Sequence, residues 1–322
     1  MRLITWEEDL GDLDRIYRPV KLDDIYGQDK IVSFFKSVIS NINTAPHYFL
    51  VSGGYGVGKT TISRAFANDL LGSLSAPNYL EIDSGEKAVQ DNFEVIKNLL
   101  FQEVSGYKVV TLDESHMISP RSQEMLLKVV EDYYGSLVIF FCTTEPHLMM
   151  DTLCSRLHKF SLSLFSEHQL KEYALSVLTQ EGKTVSDQAL SLAALNAQGH
   201  MRDMLKQVSL ILFQGEEAYL SFYSTVLKEI VNYFTDFSIA DKVSVENLSK
   251  WHPSELRALM GYFFREDIIN PDGRYSTAIP RHLIPRCFAN YLRLMGLVKE
   301  ADDFFSAILV FRQQLQAVRS ST

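Results

Sequence analysis

The chain has 322 residues, of which 46% are hydrophobic and 22% charged, so it can bury a core and does not read as a disordered chain. Its 31 Lys and Arg stand against 40 Asp and Glu, giving a net charge of −9, which argues against binding nucleic acid through bulk charge and leaves only a local or shared basic groove. Cys142, Cys154 and Cys287 contain no C-x-x-C and imply neither a disulfide framework nor a cysteine zinc site, while no leader-like start or long apolar run points to a membrane. A cytoplasmic protein of two or three domains is expected.

Arg15 to Pro19 leads into Leu22 to Gln28, an irregular segment that could either fold near a bound base or serve as a surface linker. Ile31, Phe34, Phe35, Val38 and Ile39 then recur at the spacing of one amphipathic helix. His47 to Val51 is a short strand. It runs into Gly53-Gly54-Tyr55-Gly56-Val57-Gly58-Lys59-Thr60-Thr61, which reads G-x-x-x-x-G-K-T, and Ile62, Phe66 and Leu70 continue as a helix. Glycines at a strand-to-helix turn let backbone N–H groups face inward, at a helix N-terminus whose dipole favours anions. Gly53, Gly54, Gly56, Val57, Gly58 and Thr61 are therefore candidate phosphate contacts, Lys59 a partner of the β- and γ-phosphates, and Thr60 a Mg²⁺ ligand.

Tyr79 to Ile82 predicts a second strand, and Phe93, Ile96, Leu99 and Leu100 a helix. Lys108 to Glu114 predicts a third strand ending in two carboxylates. In a parallel sheet that end faces the ligand crevice, so Asp113 suits Mg²⁺ and Glu114 suits an attacking water. A helix marked by Met125, Leu126, Val129 and Val130 precedes a fourth strand, Leu137 to Cys142, with Thr143 at its end. Thr143 could sense a γ-phosphate, hold the water or cap the next helix. Spacing gives Arg156 no role beyond that of a surface arginine.

From Ser166 the pattern is all helical, in three segments ending near Leu212, and Arg202 opens the last of them, where it could reach a nucleotide or pair with an acid. From about Glu216 onward the helical pattern is rich in aromatic residues, as for a core, a subunit interface or a monomeric helical domain. The expected fold is α/β: a P-loop ATPase domain with a parallel sheet over residues 1–163, an all-α lid over 164–214 and an all-α collar over 215–322.

Taken together, Tyr17-Arg18-Pro19 with Gly27-Gln28, Gly53 to Thr61, Asp113-Glu114-Ser115-His116-Met117, Leu126-Leu127-Lys128, Thr143-Thr144, Ser155-Arg156 and Gly199 with Arg202-Asp203 occur in one order across residues 15 to 212. In that order they resemble the clamp-loader ATPases of the AAA+ class, a group that includes bacterial gamma/tau subunits and small subunits of replication factor C. The resemblance implies ATP and Mg²⁺ bound between the first two domains, and an open spiral of five subunits joined through their collars. Its partners are then other loader subunits, a sliding clamp and primer–template DNA. It implies that Thr143 is the first sensor, Arg202 the second, and Arg156 an arginine finger offered in trans to a neighbour's ATP. It also places Tyr17, Arg18, Gly27 and Gln28 around the adenine. Lys87 and Arg121 become candidate DNA contacts, which as phosphate contacts would carry no sequence preference, or else remain solvated charges.

Two departures stand out. Leu71 to Pro77 runs straight to the next strand where the bacterial subunits carry a four-cysteine module, so no zinc is expected, and Leu157 follows the finger where cysteine is usual. Lacking the long extension of tau, the chain fits a compact loader such as a bacteriophage might encode. The competing functions are a non-hydrolysing scaffold within a loader, against which Lys59, Asp113, Glu114 and Arg156 speak, and an AAA+ branch-migration helicase, against which the helical tail speaks.

Overall fold

The computed structural model of the protein describes residues 13–75, 78–85, 100, 104–132 and 135–223. They fall into two compact units, one of residues 13–182 and 199–206, the other of residues 183–198 and 207–223. The expected helix at Phe93 to Leu99, Lys87, Cys287 and nearly all of the expected collar lie outside the described residues.

The first unit holds a five-stranded sheet of β1 (Tyr48–Gly53), β2 (Tyr79–Asp83), β3 (Lys108–Asp113), β4 (Leu137–Thr143) and β5 (His158–Leu162), ordered β2-β3-β4-β1-β5. All four pairings are parallel. Among the described residues the helices around these strands are α2 (Asp29–Ser40), before β1, α3 (Lys59–Leu71), α4 (Pro120–Asp132) and the short α5 (Asp151–Cys154); a four-residue turn, α1 (Leu13–Ile16), begins the described chain. The expected helix around Phe35 and the four expected strands are all present. β5 is an addition. Only Leu162 of its five residues is buried, so this edge strand lacks the apolar run that marks β3 and β4, and the Phe160–Leu162 alternation is too short to stand out.

Strand alternation sends side chains to two separate cores. Leu50, Val110, Leu112, Ile139 and Phe141 pack with Leu126 and Val130 of α4 on one face. Phe49, Val51, Phe140 and Cys142 pack with Phe35 of α2 and Phe66 of α3 on the other. There Phe49 and Phe66 each lie 5.1 Å from the ring of Phe140, and Phe35 5.3 Å from it. Each such ring contributes about 1.5–3 kcal/mol by burial, enough to fix α3 and the loop before it against the sheet. Because every strand runs the same way, Gly53, Asp113 and Thr143 share one edge of the sheet, while Tyr48, Lys108, Leu137 and His158 share the opposite edge.

After β5 comes α6 (Glu167–Gln180), started by a capping box in which Ser166 and Gln169 each accept from the other's backbone N–H, at 3.2 and 2.9 Å. α7 (Asp187–Ala197), capped by Ser186, belongs to the second unit, and α8 (Met201–Gln214) begins in the first. None of the described helices is long and apolar enough to cross a membrane.

Candidate functional site: a phosphate cradle and its carboxylates

β1 ends at Gly53 and α3 begins at Lys59, so the glycine loop joins a strand to a helix N-terminus as expected. Gly53 has φ 153°, and a Cβ there would stand 2.9 Å from the carbonyl oxygen of Leu162 on β5, so the close approach of two strands excludes a side chain. Gly58, at φ 105°, turns the chain into α3 in a left-handed conformation. The Lys59 side chain is drawn into this loop and is only 6% exposed, and its ammonium donates to the carbonyl oxygens of Gly53 at 3.1 Å and Gly54 at 2.9 Å. Burial pushes its pKa down, while Glu114 and Asp113 push it back up. A desolvated cation held by carbonyl oxygens is primed to meet an anion.

Asp113 closes β3 one strand away, and burial, with the Glu114 charge beside it, raises its carboxyl pKa. A cation at that carboxylate would relieve the cost, so the pair of Asp113 and Thr60, both lining the cavity, fits Mg²⁺. Glu114 follows at φ 45°, a left-handed conformation uncommon for a residue with a side chain and the kind of local strain that accompanies function. Thr144 donates to its Oε2 at 3.3 Å, and His116 Nδ1 lies 3.5 Å from the same oxygen. Thr143 Oγ1 accepts from the Glu145 N–H at 3.0 Å and lies 3.0 Å from His116 Nδ1. Thr143 caps no helix: the next helical turn, Pro146–Leu148, has Glu145 as its N-cap and α5 has Met150, both without a side-chain cap bond, so the Thr143 contacts are a local turn with Glu145 and a link to the residue two places beyond Glu114.

A cavity of about 420 Å³ opens beside the cradle, lined by Gly56 to Thr61, Asp113, Glu114 and Arg202, and also by Tyr17, Arg18 and Gln28. The Arg15 to Gln28 segment is therefore no surface linker. It is tied to α6 and its C-cap: Tyr17 donates to the C-cap Glu181 at 2.5 Å, Tyr26 donates to Glu172, and Tyr173 donates to the Tyr17 carbonyl at 3.1 Å. Burial and the Glu172 carboxylate push the Tyr26 hydroxyl up to about 12. Tyr26 stacks near Phe165 and Tyr173, with centroids 6.3 and 5.4 Å apart, which makes an aromatic wall suited to a flat base. Gln28 donates to the Ser163 carbonyl at 3.3 Å. Gly27 does not line the cavity; at φ 71° it lets the chain pass Phe165, whose ring would stand 2.9 Å from a Cβ. Burial and the nearby Arg64 cation lower the pKa of Arg18.

Arg202 comes to the cradle from the start of α8. Its guanidinium donates to the Tyr55 hydroxyl at 3.1 Å and sits 5.3 Å from the centre of that ring. His200 beside it reaches within 3.5 Å of where a Cβ on Gly54 would be, with its Nδ1 buried and unpaired. Sequence reasoning missed Tyr55, His200, Tyr26, Tyr173 and Phe165, whose contacts join distant stretches of chain.

Arg156 is elsewhere. It precedes β5 at the opposite edge of the sheet, in a groove with His47, Tyr107, Glu131 and His158, and its Nε meets Glu131 Oε1 at 2.5 Å while Nη1 donates to the Thr152 carbonyl at 2.7 Å. From Arg156 to the end of β5 the chain runs about 20 Å, beyond the reach of its side chain to the cradle of the same chain. Arg121 is exposed in the first turn of α4, and Lys87 lies outside the described residues.

A parallel sheet whose carboxyl edge carries a glycine cradle, a buried lysine and an Asp-Glu pair is the framework of a P-loop ATPase domain. Residues 49–167 match the model of the family described as ATPases associated with various cellular activities (AAA), and the chain carries an ATPase domain of that class, a class that binds nucleotide with Mg²⁺. Among curated proteins it is similar to the DNA polymerase III subunit tau/gamma of Haemophilus influenzae, with 32% identity covering 63% of this chain and 33% of that protein. Against the DNA polymerase III subunit gamma of Buchnera aphidicola subsp. Schizaphis graminum the identity is 30%, covering 60% and 59%. The chain thus spans only about a third to three fifths of the length of these relatives. Among solved structures it is similar in fold to the Thermotoga maritima RuvB Holliday junction branch migration motor, with TM-score 0.53 and 18% identity over 72% of this chain and 85% of that one.

Proposed function

We propose that the protein is an ATP-driven motor subunit of a sliding-clamp loader, acting in the cytoplasm during DNA replication. The observation that carries this reading is the placement of Arg156, the residue at the finger position of the resemblance, at the edge of the sheet opposite the cradle. Lys59, Asp113 and Glu114 meet at one edge, and Arg156 stands at the other, out of reach of its own chain's cradle, which supports a role toward a second subunit's nucleotide. Likeness to DNA polymerase III tau/gamma subunits supplies the replication context, whereas the likeness to RuvB is one of fold alone.

In this reading the glycine loop and Lys59 hold the β- and γ-phosphates, and the Tyr26–Phe165–Tyr173 wall with Tyr17, Arg18 and Gln28 holds the adenine. Thr60 and Asp113 hold Mg²⁺, which supplies charge neutralisation between the phosphates. Glu114 orients the attacking water and takes its proton, Arg202 reports nucleotide from α8, and Arg156 stabilises charge developing at a neighbour's γ-phosphate. Residues 164–214 serve as lid and 215–322 as the collar through which five subunits assemble. The partners are then other loader subunits, the clamp and primer–template DNA, with Arg121 and Lys87 on the backbone of the duplex.

The test is steady-state ATP hydrolysis by the full chain, alone and then with primer–template DNA, a sliding clamp and partner subunits. Strong stimulation requiring both DNA and clamp is the expected result. Hydrolysis indifferent to the clamp overturns the loader assignment, and none under any condition overturns the motor assignment.

A further inference from the structure

His116 belongs to no role assigned above, yet it touches two residues that have one. Its side chain is 10% exposed, and Nδ1 faces both Thr143 Oγ1, at 3.0 Å, and Glu114 Oε2, at 3.5 Å. The 3₁₀ turn Ser115–Met117 holds it there. Ser115, wholly buried, donates to the Cys142 carbonyl at 3.1 Å, which pins the turn to the end of β4.

The chemistry of these neighbours fixes the ring's tautomer. An ionised carboxylate only accepts, so an Nδ1 lone pair aimed at Glu114 would be repelled, whereas an Nδ1–H is attracted to both oxygens. Thr143 Oγ1 already accepts from the Glu145 N–H at 3.0 Å. With Nδ1–H as a second donor, both its lone pairs are filled and its own hydrogen is all it has left to offer. The threonine is thereby set as a donor.

We infer that His116 is a positioning residue that joins Glu114 to Thr143, holding the carboxylate at its strained backbone position and presetting the Thr143 hydroxyl to donate. The inference rests on the reading of Glu114 as the group that activates water. It adds a physical connection between the ends of β3 and β4, since any shift of the wholly buried Thr143 moves His116 and, through it, Glu114.

Two measurements test it. In the full chain with labelled histidine, long-range proton–nitrogen correlation reads the tautomer of the His116 ring, identified by its loss in His116→Asn. The Nδ1–H form is expected, and the Nε2–H form overturns the inference whatever the protein's activity. Hydrolysis is then followed at saturating ATP under the condition that gives wild-type turnover. His116→Ala is expected to slow turnover about ten- to a hundredfold, the scale of a misplaced catalytic group, with ATP affinity within about threefold of wild type. His116→Asn, whose amide nitrogen stands where Nδ1 stood, should recover most of the loss, and His116→Gln, whose nitrogen mimics Nε2, should not. Equal recovery by both, or an undiminished rate in His116→Ala, overturns the inference. Failure of the underlying reading looks different: Glu114→Gln would then leave turnover unchanged.

Discussion

At the carboxyl edge of the sheet, Lys59, Asp113 and Glu114 crowd a cavity at the start of α3, and burial moves the lysine and the aspartate away from their ordinary pKa values. At the amino edge, Arg156 pairs with Glu131 in a groove where both side chains remain 40% exposed. The difference follows from the parallel sheet. Strand carboxyl ends lead into helix N-termini, so backbone N–H groups and dipoles collect on one side and make it anion-seeking. The amino edge collects helix C-termini instead, such as those of α2 and α4, whose dipoles and carbonyls do not favour anions. Chemistry that needs both kinds of group has to bring the amino edge of one copy to the carboxyl edge of another.

Lys59→Ala bears on that comparison with the largest effect. It removes the buried cation of the carboxyl edge and should abolish ATP hydrolysis, with nucleotide affinity in the isolated chain falling about a hundredfold, as expected for a lost charge-assisted contact. Calorimetric titration checks this, and affinity within threefold of wild type would move the phosphate site away from Gly53 to Thr61. Arg156→Ala should act only in an assembly. Turnover there should drop about 10³-fold, in the range of arginine-finger losses, with nucleotide affinity of the isolated chain unchanged. A weakened affinity in the isolated chain would mean that the two edges are not chemically separate.

Gly53→Ala probes why the carboxyl edge has its shape. A methyl group would face the Leu162 carbonyl oxygen at 2.9 Å with φ at 153°, so the variant should lose about 1–3 kcal/mol of stability in chemical denaturation and disturb the cradle. Stability equal to wild type would show that β5 can move away, and that the close approach of β1 and β5 is not what demands glycine.

Much of the carboxyl edge was legible in the sequence because its signals are local. Gly53 to Thr61 is one continuous stretch, Asp113-Glu114 ends one apolar strand, and Thr143 ends another. What sequence could not give is what closes the cavity. Tyr55 meets Arg202 across 147 residues, and Tyr17 meets Glu181 across 164, pairings that no periodicity encodes. β5 escaped because an edge strand with one buried residue resembles a loop, and with it went the reason why Gly53 must be glycine. Physical spacing alone gave Arg156 no role, and the role in trans proposed for it would leave no mark in the spacing of its own chain.

The smallest effect belongs to Glu131→Gln. The ion pair with Arg156 is short, at 2.5 Å, but lies in water on both sides, and exposed pairs contribute about 0–1 kcal/mol. The variant should therefore unfold at nearly the wild-type denaturant concentration and bind nucleotide as the wild type does. A loss well beyond about 1 kcal/mol would show that the pair holds the amino edge together, giving Arg156 a structural reason to exist. A negligible loss removes that reason. The guanidinium would then be held loosely, by one exposed carboxylate and the Thr152 carbonyl, in a place where a phosphate from a second copy could take it over at little cost to this one.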